Sequence, residues 1–149
     1  MELNQRVRAF TAETLAAMGL TLDVEILDTA DAIRVEISGE GGEALLRRRA
    51  EALDALQVIV NTAFRRELQD DRSFTVDCLG YRKGKDEELR QMTRFTMEKV
   101  RTNRADQEMG PLNPYARRIV HLTVAEDATL SSESIGDAFL KTVIISVKK

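Results

Sequence analysis

The segment "LNPYARRIVHL", residues 112–122, places an arginine and a histidine four residues apart. Residues i and i+4 of an α-helix lie on the same face, so Arg117 and His121 would be neighbours. A guanidinium and an imidazole that both donate hydrogen bonds suit a phosphate, and Arg118 flanks the same polar face. These three side chains predict a phosphate-binding site. The alternative is a solvated polar face, or a histidine hydrogen-bonded to a local carbonyl.

A second basic cluster consists of three consecutive arginines, Arg47, Arg48 and Arg49, followed by Ala50. Phosphate contacts made by such side chains would be electrostatic, insensitive to base sequence and weakened by salt. The upstream sequence "GEGG" at 39–42 resembles a phosphate-binding glycine loop in its residue pattern alone. It directly follows a predicted strand. The preference of glycine for turns favours a strand-to-helix turn at this position.

A third set of basic residues lies on one side of a helix predicted over 86–103 and just before it. Charged faces of surface helices are usually solvated, and Glu98 interrupts this one. We therefore treat it as a secondary basic surface that would extend the contact area. Its members are Lys83, Arg90, Arg94 and Arg101.

The residue types do not indicate a catalytic, metal-binding or cofactor-binding site. Cys78 is the single cysteine and His121 the single histidine, so cysteine-rich zinc sites and internal disulfides are excluded. Neither a nucleophile elbow nor a Walker glycine loop is present, so we expect a protein that is not an enzyme and has no cofactor. No apolar run approaches the length of a membrane span, and the N-terminus has no signal-peptide pattern. We expect a cytoplasmic protein.

Charge divides unevenly along the 149 residues, whose net charge is −3. Residues 1–80 carry 9 Lys/Arg and 15 Asp/Glu, a balance of −6, and residues 81–149 carry 13 and 10, a balance of +3. This asymmetry predicts two units with different electrostatic roles. We place the boundary between Gly80 and Tyr81.

The beginning of the chain combines a helical period with two alternating segments. Residues 2–18 repeat apolar side chains every three or four positions, which predicts an amphipathic helix. Alternation over 20–27 and 33–38, on either side of the turn sequence "DTAD", predicts a hairpin. The residues expected on the apolar faces are Leu3, Val7, Phe10, Thr14, Met18, Leu22, Val24, Ile26, Ile33, Val35 and Ile37.

Two helices, 42–48 and 51–67, are predicted next, with a break near the arginines, and "FTVDCLG" at 74–80 predicts a third strand. The first unit then has the element order αββααβ. The apolar face of the longer helix comprises Leu53, Leu56, Val60 and Phe64, and its polar face Asp54, Gln57, Asn61 and Arg65. The strand should bury Phe74, Val76 and Cys78.

The second unit is predicted to contain two helices and two short strands. The helix over 86–103 should bury Leu89, Met92, Phe95 and Val100. "ADQEMGPL" leads to Asn113-Pro114, where a capping side chain followed by proline predicts a helix start. That helix should run to about Val124 with Tyr115, Ile119 and Leu122 toward the core. "SSESIG" and "FLKTVIISV", at 131–136 and 139–147, predict the strands.

Four segments carry a resemblance to a known family: "ALDALQVIVN" at 52–61, "VDCLGYR" at 76–82, "LNPYARRIVHL" at 112–122 and "SSESIG" at 131–136. With the element order, they make nearly the whole chain similar to the bacterial Jag/KhpB-type RNA-binding proteins. These join a type II KH domain to a small α/β domain named for its Arg-x-x-x-His motif. The resemblance implies an α+β fold with a KH-like domain over 1–80 and the Arg-x-x-x-His domain over 81–149, without the additional N-terminal domain that many members carry.

The sequence differs from the family pattern at the loop between the two central helices of the KH domain. A KH domain holds single-stranded nucleic acid at a G-x-x-G loop between its central helices. Alignment on "LDALQ" puts this loop at residues 47–50, where both glycines are replaced. Side chains at Arg47 and Ala50 obstruct close approach of the sugar-phosphate and disfavour positive φ. Two alternatives stay open: the three arginines hold phosphates through their side chains, or this unit serves as a scaffold.

The expected function is therefore non-catalytic binding of single-stranded RNA by Arg117 and His121, assisted by Arg118, with single-stranded DNA left open as a ligand. The alternative is a protein-interaction scaffold whose KH surface no longer binds RNA. The resemblance further implies post-transcriptional regulation connected with cell division and envelope growth, and pairing with a small KH-only partner.

Overall fold

The computed structural model describes residues 2–149 and divides into two compact units, the first ending at Arg82 and the second running Lys83–Lys149. Both combine helices with a three-stranded sheet, so the chain is a mixed α+β protein. Within the described residues no helix has the length and apolar character that crossing a membrane requires.

The first unit contains one long helix, a hairpin, a short 3-10 helix, a second long helix followed by the 3-10 helix Arg65–Glu67, and a final strand. Strands β1 and β2 pair in antiparallel fashion, and β3 lies parallel to β2 with Val35 opposite Val76. The sheet order is β1-β2-β3. The bounds are α1 Leu3–Ala17, β1 Asp23–Asp28, β2 Ile33–Ser38, the 3-10 helix Gly42–Leu46, α2 Arg47–Phe64 and β3 Phe74–Cys78.

The core of this unit forms between the sheet and the apolar faces of its helices. The residues predicted on β2, β3 and the apolar face of α2 are all buried, as alternation and helical periodicity require. The prediction for α1 was wrong in part. Val7, Thr11 and Leu15 are its buried positions, whereas Met18 is 54% exposed. Thr11 can be buried because its hydroxyl donates to the carbonyl of Val7 at 2.8 Å.

The polar face of α2 lies against the outer edge of β3. Gln57 Oε1 accepts from the Val76 amide at 2.9 Å. Asn61 accepts from the Phe74 amide and donates to the Phe74 carbonyl, both at 2.8 Å. These bonds satisfy backbone groups that an edge strand otherwise leaves without a strand partner.

The glycines at 39–42 form the strand-to-helix turn that the sequence predicts. Gly39 and Gly41 have φ of 121° and 96°, values that glycine adopts without strain. Gly42 begins the 3-10 helix and is buried, and a Cβ there would lie 3.1 Å from Cys78 Sγ. These glycines therefore serve packing and turn geometry.

The arginine segment differs from its prediction. Arg47 is extended, with φ −65° and ψ 152°, whereas Arg48, Arg49 and Ala50 have φ of 52°, 58° and 63°. Arg48, Arg49 and Ala50 thus adopt positive φ although they carry side chains. Arg47, at the position of the first family glycine, has negative φ. The break between the two central helices consists of three successive left-handed residues, after which α2 becomes regular.

The second unit contains α4, all of α3 except its first two residues, and a sheet of order β4-β6-β5 that is antiparallel throughout. Its core includes Met97, Val120 and Val143. Helix α3 starts at Tyr81, so the predicted boundary at 80/81 lies just before its first turn. The bounds are α3 Tyr81–Asn103, β4 Gln107–Leu112, α4 Pro114–Val124, β5 Leu130–Ile135 and β6 Lys141–Val147.

The predictions for α3 and for the segment before Asn113 were wrong. Met92 and Phe95 of α3 are 62% and 65% exposed, and the buried positions are Thr93, Met97 and Val100. The segment before Asn113 was expected only to lead into a helix, but it forms strand β4, which pairs with β6 on both sides of an irregularity at Gly110-Pro111.

Candidate nucleic-acid interface

Helix α4 begins where the sequence predicts. The Asn113 side chain accepts a hydrogen bond from the Ala116 amide at 2.8 Å, and Pro114 occupies the first turn, where its missing N–H costs nothing. Ile119 and Val120 are buried, which orients the helix on the sheet. This orientation leaves Arg117 and His121, one turn apart, half-buried at the margin of the core.

Two serines on β5 hold the His121 ring. Nδ1 lies 2.6 Å from Ser132 Oγ, and Nε2 lies 2.8 Å from Ser134 Oγ. Because β5 side chains alternate, these two serines share the face that meets α4. Burial lowers the pKa of His121, and the positive charge of Arg117 lowers it further, so the neutral ring dominates at pH 7.

Arg117 has unused hydrogen-bonding capacity. Its Nη2 donates weakly to the Phe139 carbonyl at 3.5 Å. Its Nε is buried and has no hydrogen-bond partner among residues 2–149, and no carboxylate in this range forms an ion pair with the side chain. A buried donor without an acceptor costs about 1–3 kcal/mol, so Arg117 is held in this position against an energetic cost.

A cleft of about 380 Å³ opens beside these side chains. Arg118 is exposed at its wall, and the lining contains no carboxylate. The lining residues are Pro114, Arg117, Arg118, His121, Leu122 and Ser134. The structure thus brings together the three residues predicted from the Arg-x-x-x-His spacing.

The expectation that Tyr115 and Leu122 face the core was wrong. Both are 62% exposed, and only Ile119 of the three predicted residues is buried. The Tyr115 hydroxyl donates to Asp86 at 2.6 Å on the first turns of α3. Leu122 instead lines the cleft.

The arginines of the secondary basic surface are paired with carboxylates. Arg90 lies 3.4 Å from Glu87, and Arg94 lies 3.4 Å from Glu126. Arg101 contacts Glu98 at 2.9 Å and Asp127 at 2.7 Å. These carboxylates neutralise much of the positive charge of α3. No carboxylate among residues 2–149 forms an ion pair with Arg117 or Arg118. Lys83 is exposed.

The Asp127 carboxylate accepts three hydrogen bonds. Two hydrogen bonds from Thr129, through its hydroxyl and its amide, and one from Arg101 lower the pKa of Asp127 to about 2. The carboxylate thereby fixes the turn between α4 and β5 and ties it to α3.

Arg47, Arg48 and Arg49 lie in the first unit and are all exposed. No ion pair between residues of the described range 2–149 involves any of them. They remain available to solvent and to ligands, in a loop whose backbone is left-handed from Arg48 to Ala50.

Sequence reasoning did not assign Ser132 and Ser134 to the site, although "SSESIG" contributed to the resemblance. The i, i+2 spacing on a predicted strand places both on one face, which is a usable signal. Their pairing with His121 depends on how α4 crosses β5, and periodicity does not give that crossing.

In a comparison with known protein families, residues 87–146 match the R-3-H domain, whose name stands for Arg-x-x-x-His. The match contains all of α4 and β5, and therefore Arg117, His121 and both serines.

Similarity to individual proteins extends over nearly the whole chain. Over 149 residues it is 28% identical to the RNA-binding protein KhpB of Clostridium symbiosum, covering 99% of this chain and 67% of that protein. Over 147 residues it is 24% identical to the RNA-binding protein KhpB of Bacillus subtilis (strain 168), covering 97% of this chain and 71% of the relative.

Proposed function

We propose that this protein binds single-stranded RNA without catalysing a reaction, and that Arg117, Arg118 and His121 of α4 form its phosphate site. The observation that carries the proposal is the Arg117 guanidinium, which lines an open cleft without a carboxylate and has no ion-pair partner among residues 2–149. A phosphate oxygen in the cleft would accept from this guanidinium in a charge-assisted hydrogen bond. The names of the two KhpB relatives, both RNA-binding proteins, support the same class of ligand.

In this proposal His121 acts through Ser134. A neutral imidazole donates from one nitrogen and accepts at the other. Ser134 lines the cleft, and we assign the ring proton to Nε2, so that the Ser134 hydroxyl accepts it and keeps its own proton for a phosphate. Ser132 then donates to Nδ1 and fixes the ring. Protonation of the ring as the pH falls through its lowered pKa would add positive charge and strengthen phosphate binding.

The first unit is proposed to be a type II KH-like domain with the sequence RRRA in place of G-x-x-G. Its observed element order and parallel β2–β3 pairing support this proposal. The exposed Arg47, Arg48 and Arg49 would add sequence-independent phosphate contacts.

A scaffold role for this unit is the alternative. Val58 and Ile59 on the outer side of α2 are 65% and 45% exposed, and such a patch suits a protein partner. A role as a cytoplasmic post-transcriptional regulator and pairing with a small KH-only protein remain predictions from the resemblance.

The main test measures binding of a fluorescent single-stranded RNA over a salt series. Arg117→Ala should weaken every RNA by a similar factor and lower the slope of log affinity against log salt by about 1. Lys99→Ala removes one positive charge from the same unit away from the cleft and should leave both quantities nearly unchanged. Equal behaviour of the two variants would show that the phosphate site is elsewhere.

A second test concerns the arginine loop. Replacing Arg47 and Ala50 by glycine restores the pattern G-x-x-G, and improved RNA binding would show that the natural loop has lost the KH grip. Unchanged binding would favour the scaffold role. The triple variant Arg47→Ala/Arg48→Ala/Arg49→Ala separates side-chain contacts from backbone contacts, because it removes charge and adds no glycine.

A further inference from the structure

The phosphate cleft has apolar neighbours that phosphate binding does not use. Leu122 lines the cleft and is 62% exposed, although it follows His121 directly. Phe139, in the loop between β5 and β6, is 72% exposed, the largest exposed fraction among the large apolar side chains of the described residues. Its carbonyl lies 3.5 Å from Arg117 Nη2, which places this residue beside the phosphate donors.

Isolated exposed apolar residues are common on protein surfaces and need no function. Here, however, the Leu122 side chain lines the cleft that contains the Arg117 guanidinium, and the backbone carbonyl of Phe139, on a different element, contacts the same guanidinium. Neither is needed for the core: the buried cluster of this unit contains neither Leu122 nor Phe139. A ligand that combines an anionic group with a flat apolar group would match this arrangement.

A nucleotide is such a ligand, because each phosphate is linked through a sugar to a base with a π-face. We propose that Leu122 and Phe139 form a base-binding surface in which one base stacks on Phe139 while the adjoining phosphate is held by Arg117. This inference rests on the proposed function and extends it from the phosphate to the base. Since duplex bases are hidden by stacking and pairing, such a surface would select single strands.

The test compares two probes at low salt: an eight-residue oligoadenylate and a ribose-phosphate chain of the same length without bases. Phe139→Ala should weaken oligoadenylate binding by at least about 5-fold, as expected for loss of a base–aromatic stack, and leave binding of the abasic chain unchanged. Leu122→Ala should act in the same direction with a smaller effect.

The chain offers matched controls on α3. Phe95, 65% exposed, and Met92, 62% exposed, resemble Phe139 and Leu122 in type and accessibility. Unlike Leu122, neither lines the cleft, and the backbone contact to Arg117 is made by Phe139. Phe95→Ala and Met92→Ala should change binding of neither probe. A Phe139→Ala variant that behaves like Phe95→Ala, or that weakens both probes equally, overturns the base-binding inference.

Arg117→Ala measured on the same probes separates the two proposals. It should weaken binding of both, because the phosphate is common to them. If Arg117→Ala weakens both and Phe139→Ala weakens neither, the phosphate site stands and the base-binding inference is wrong. If Phe139→Ala weakens only oligoadenylate and Arg117→Ala has no effect, the base contact stands and the phosphate assignment is wrong.

A direct readout is available because the chain contains no tryptophan. Phe139→Trp keeps an aromatic ring and provides a single indole, whose fluorescence should be quenched when a base stacks on it. Oligoadenylate should quench Phe139→Trp and leave Phe95→Trp unchanged. Equal quenching of the two variants, or of neither, would contradict stacking at Phe139.

Discussion

The left-handed segment at Arg48–Ala50 allows a test in which neighbouring substitutions of one type have opposite effects. Arg48 and Arg49 have positive φ and are exposed, whereas Arg47 has φ −65° and is also exposed. Arginine-to-glycine substitution removes a similar surface side chain at each position. Only the backbone conformation differs between them.

The expected magnitudes follow from two opposing terms. A left-handed L-residue costs about 1–2 kcal/mol, which glycine removes, while glycine loses about 0.5–1 kcal/mol more backbone entropy on folding. Arg49→Gly should therefore stabilise the first unit by about 0.5–1 kcal/mol, and Arg47→Gly should destabilise it by a similar amount. Ala50→Gly should be nearly neutral, because it also removes a fully buried methyl group worth about 0.8 kcal/mol.

The assay uses Cys78, the single cysteine, which is fully buried on β3. Burial is the main cause that raises the pKa of its thiol to about 11, so the folded protein should react slowly with thiol reagents. Where labelling requires opening of the first unit, its rate reports the unfolding free energy of that unit alone. Arg49→Gly should slow labelling about 2- to 5-fold and Arg47→Gly should accelerate it equally.

Equal acceleration by both variants would refute the left-handed assignment, because glycine would then cost entropy at both positions without relieving strain. Arg49→Ala provides the control for side-chain loss, since alanine keeps the Cβ that causes the strain. It should leave the labelling rate nearly unchanged.

Three further outcomes can be checked in the same protein. Asn61→Ala removes both side-chain hydrogen bonds to Phe74 and should lower the unfolding free energy by about 1–3 kcal/mol in the labelling assay. A decrease no greater than that caused by Thr62→Ala, at an exposed position, would show that these hydrogen bonds contribute little. Asn113→Ala removes the cap of α4 and should cost about 1 kcal/mol, seen as faster amide exchange across the helix, and unchanged exchange would contradict the capping role. The pKa of His121, measured by NMR titration, should lie below its ordinary value of 6.5. Folding favours the neutral ring, so the contribution of His121 to stability is present above pH 6.5 and is lost as the pH falls through the lowered pKa. A midpoint at or above 6.5 in the absence of RNA would contradict this environment.

Local signals in the sequence predicted several features correctly. Alternation identified the buried face of β2 through Ile33, Val35 and Ile37, since a strand with one covered face has a fixed period. The Asn-Pro pair located the start of α4, because capping depends on residues close in sequence. The i, i+4 spacing placed Arg117 and His121 at one cleft for the same reason.

The wrong predictions concern features that depend on tertiary contacts. The buried stripe of α3 includes Thr93, whose hydroxyl is satisfied by the Leu89 carbonyl, so a search for apolar residues favoured Met92 and Phe95 instead. Strand β4 was missed because Gly110-Pro111 resembles a loop, yet the backbone there packs so closely that a Cβ on Gly110 would lie 3.1 Å from the Lys141 carbonyl. The positive φ of Arg48–Ala50 contradicts local preference and is imposed by the fold around it.

The contacts from Gln57 and Asn61 to β3 bear on how the protein avoids polymerising. A strand from another molecule could extend this sheet at β3 only by displacing three side-chain hydrogen bonds that already occupy the Phe74 and Val76 backbone. Cross-molecule sheet growth is thereby directed to β1, where Asp23, Glu25 and Asp28 would repel an identical strand. Side-chain hydrogen bonds occupy one edge of the sheet and negative charge protects the other, so molecules at high concentration would resist forming β-aggregates through this sheet.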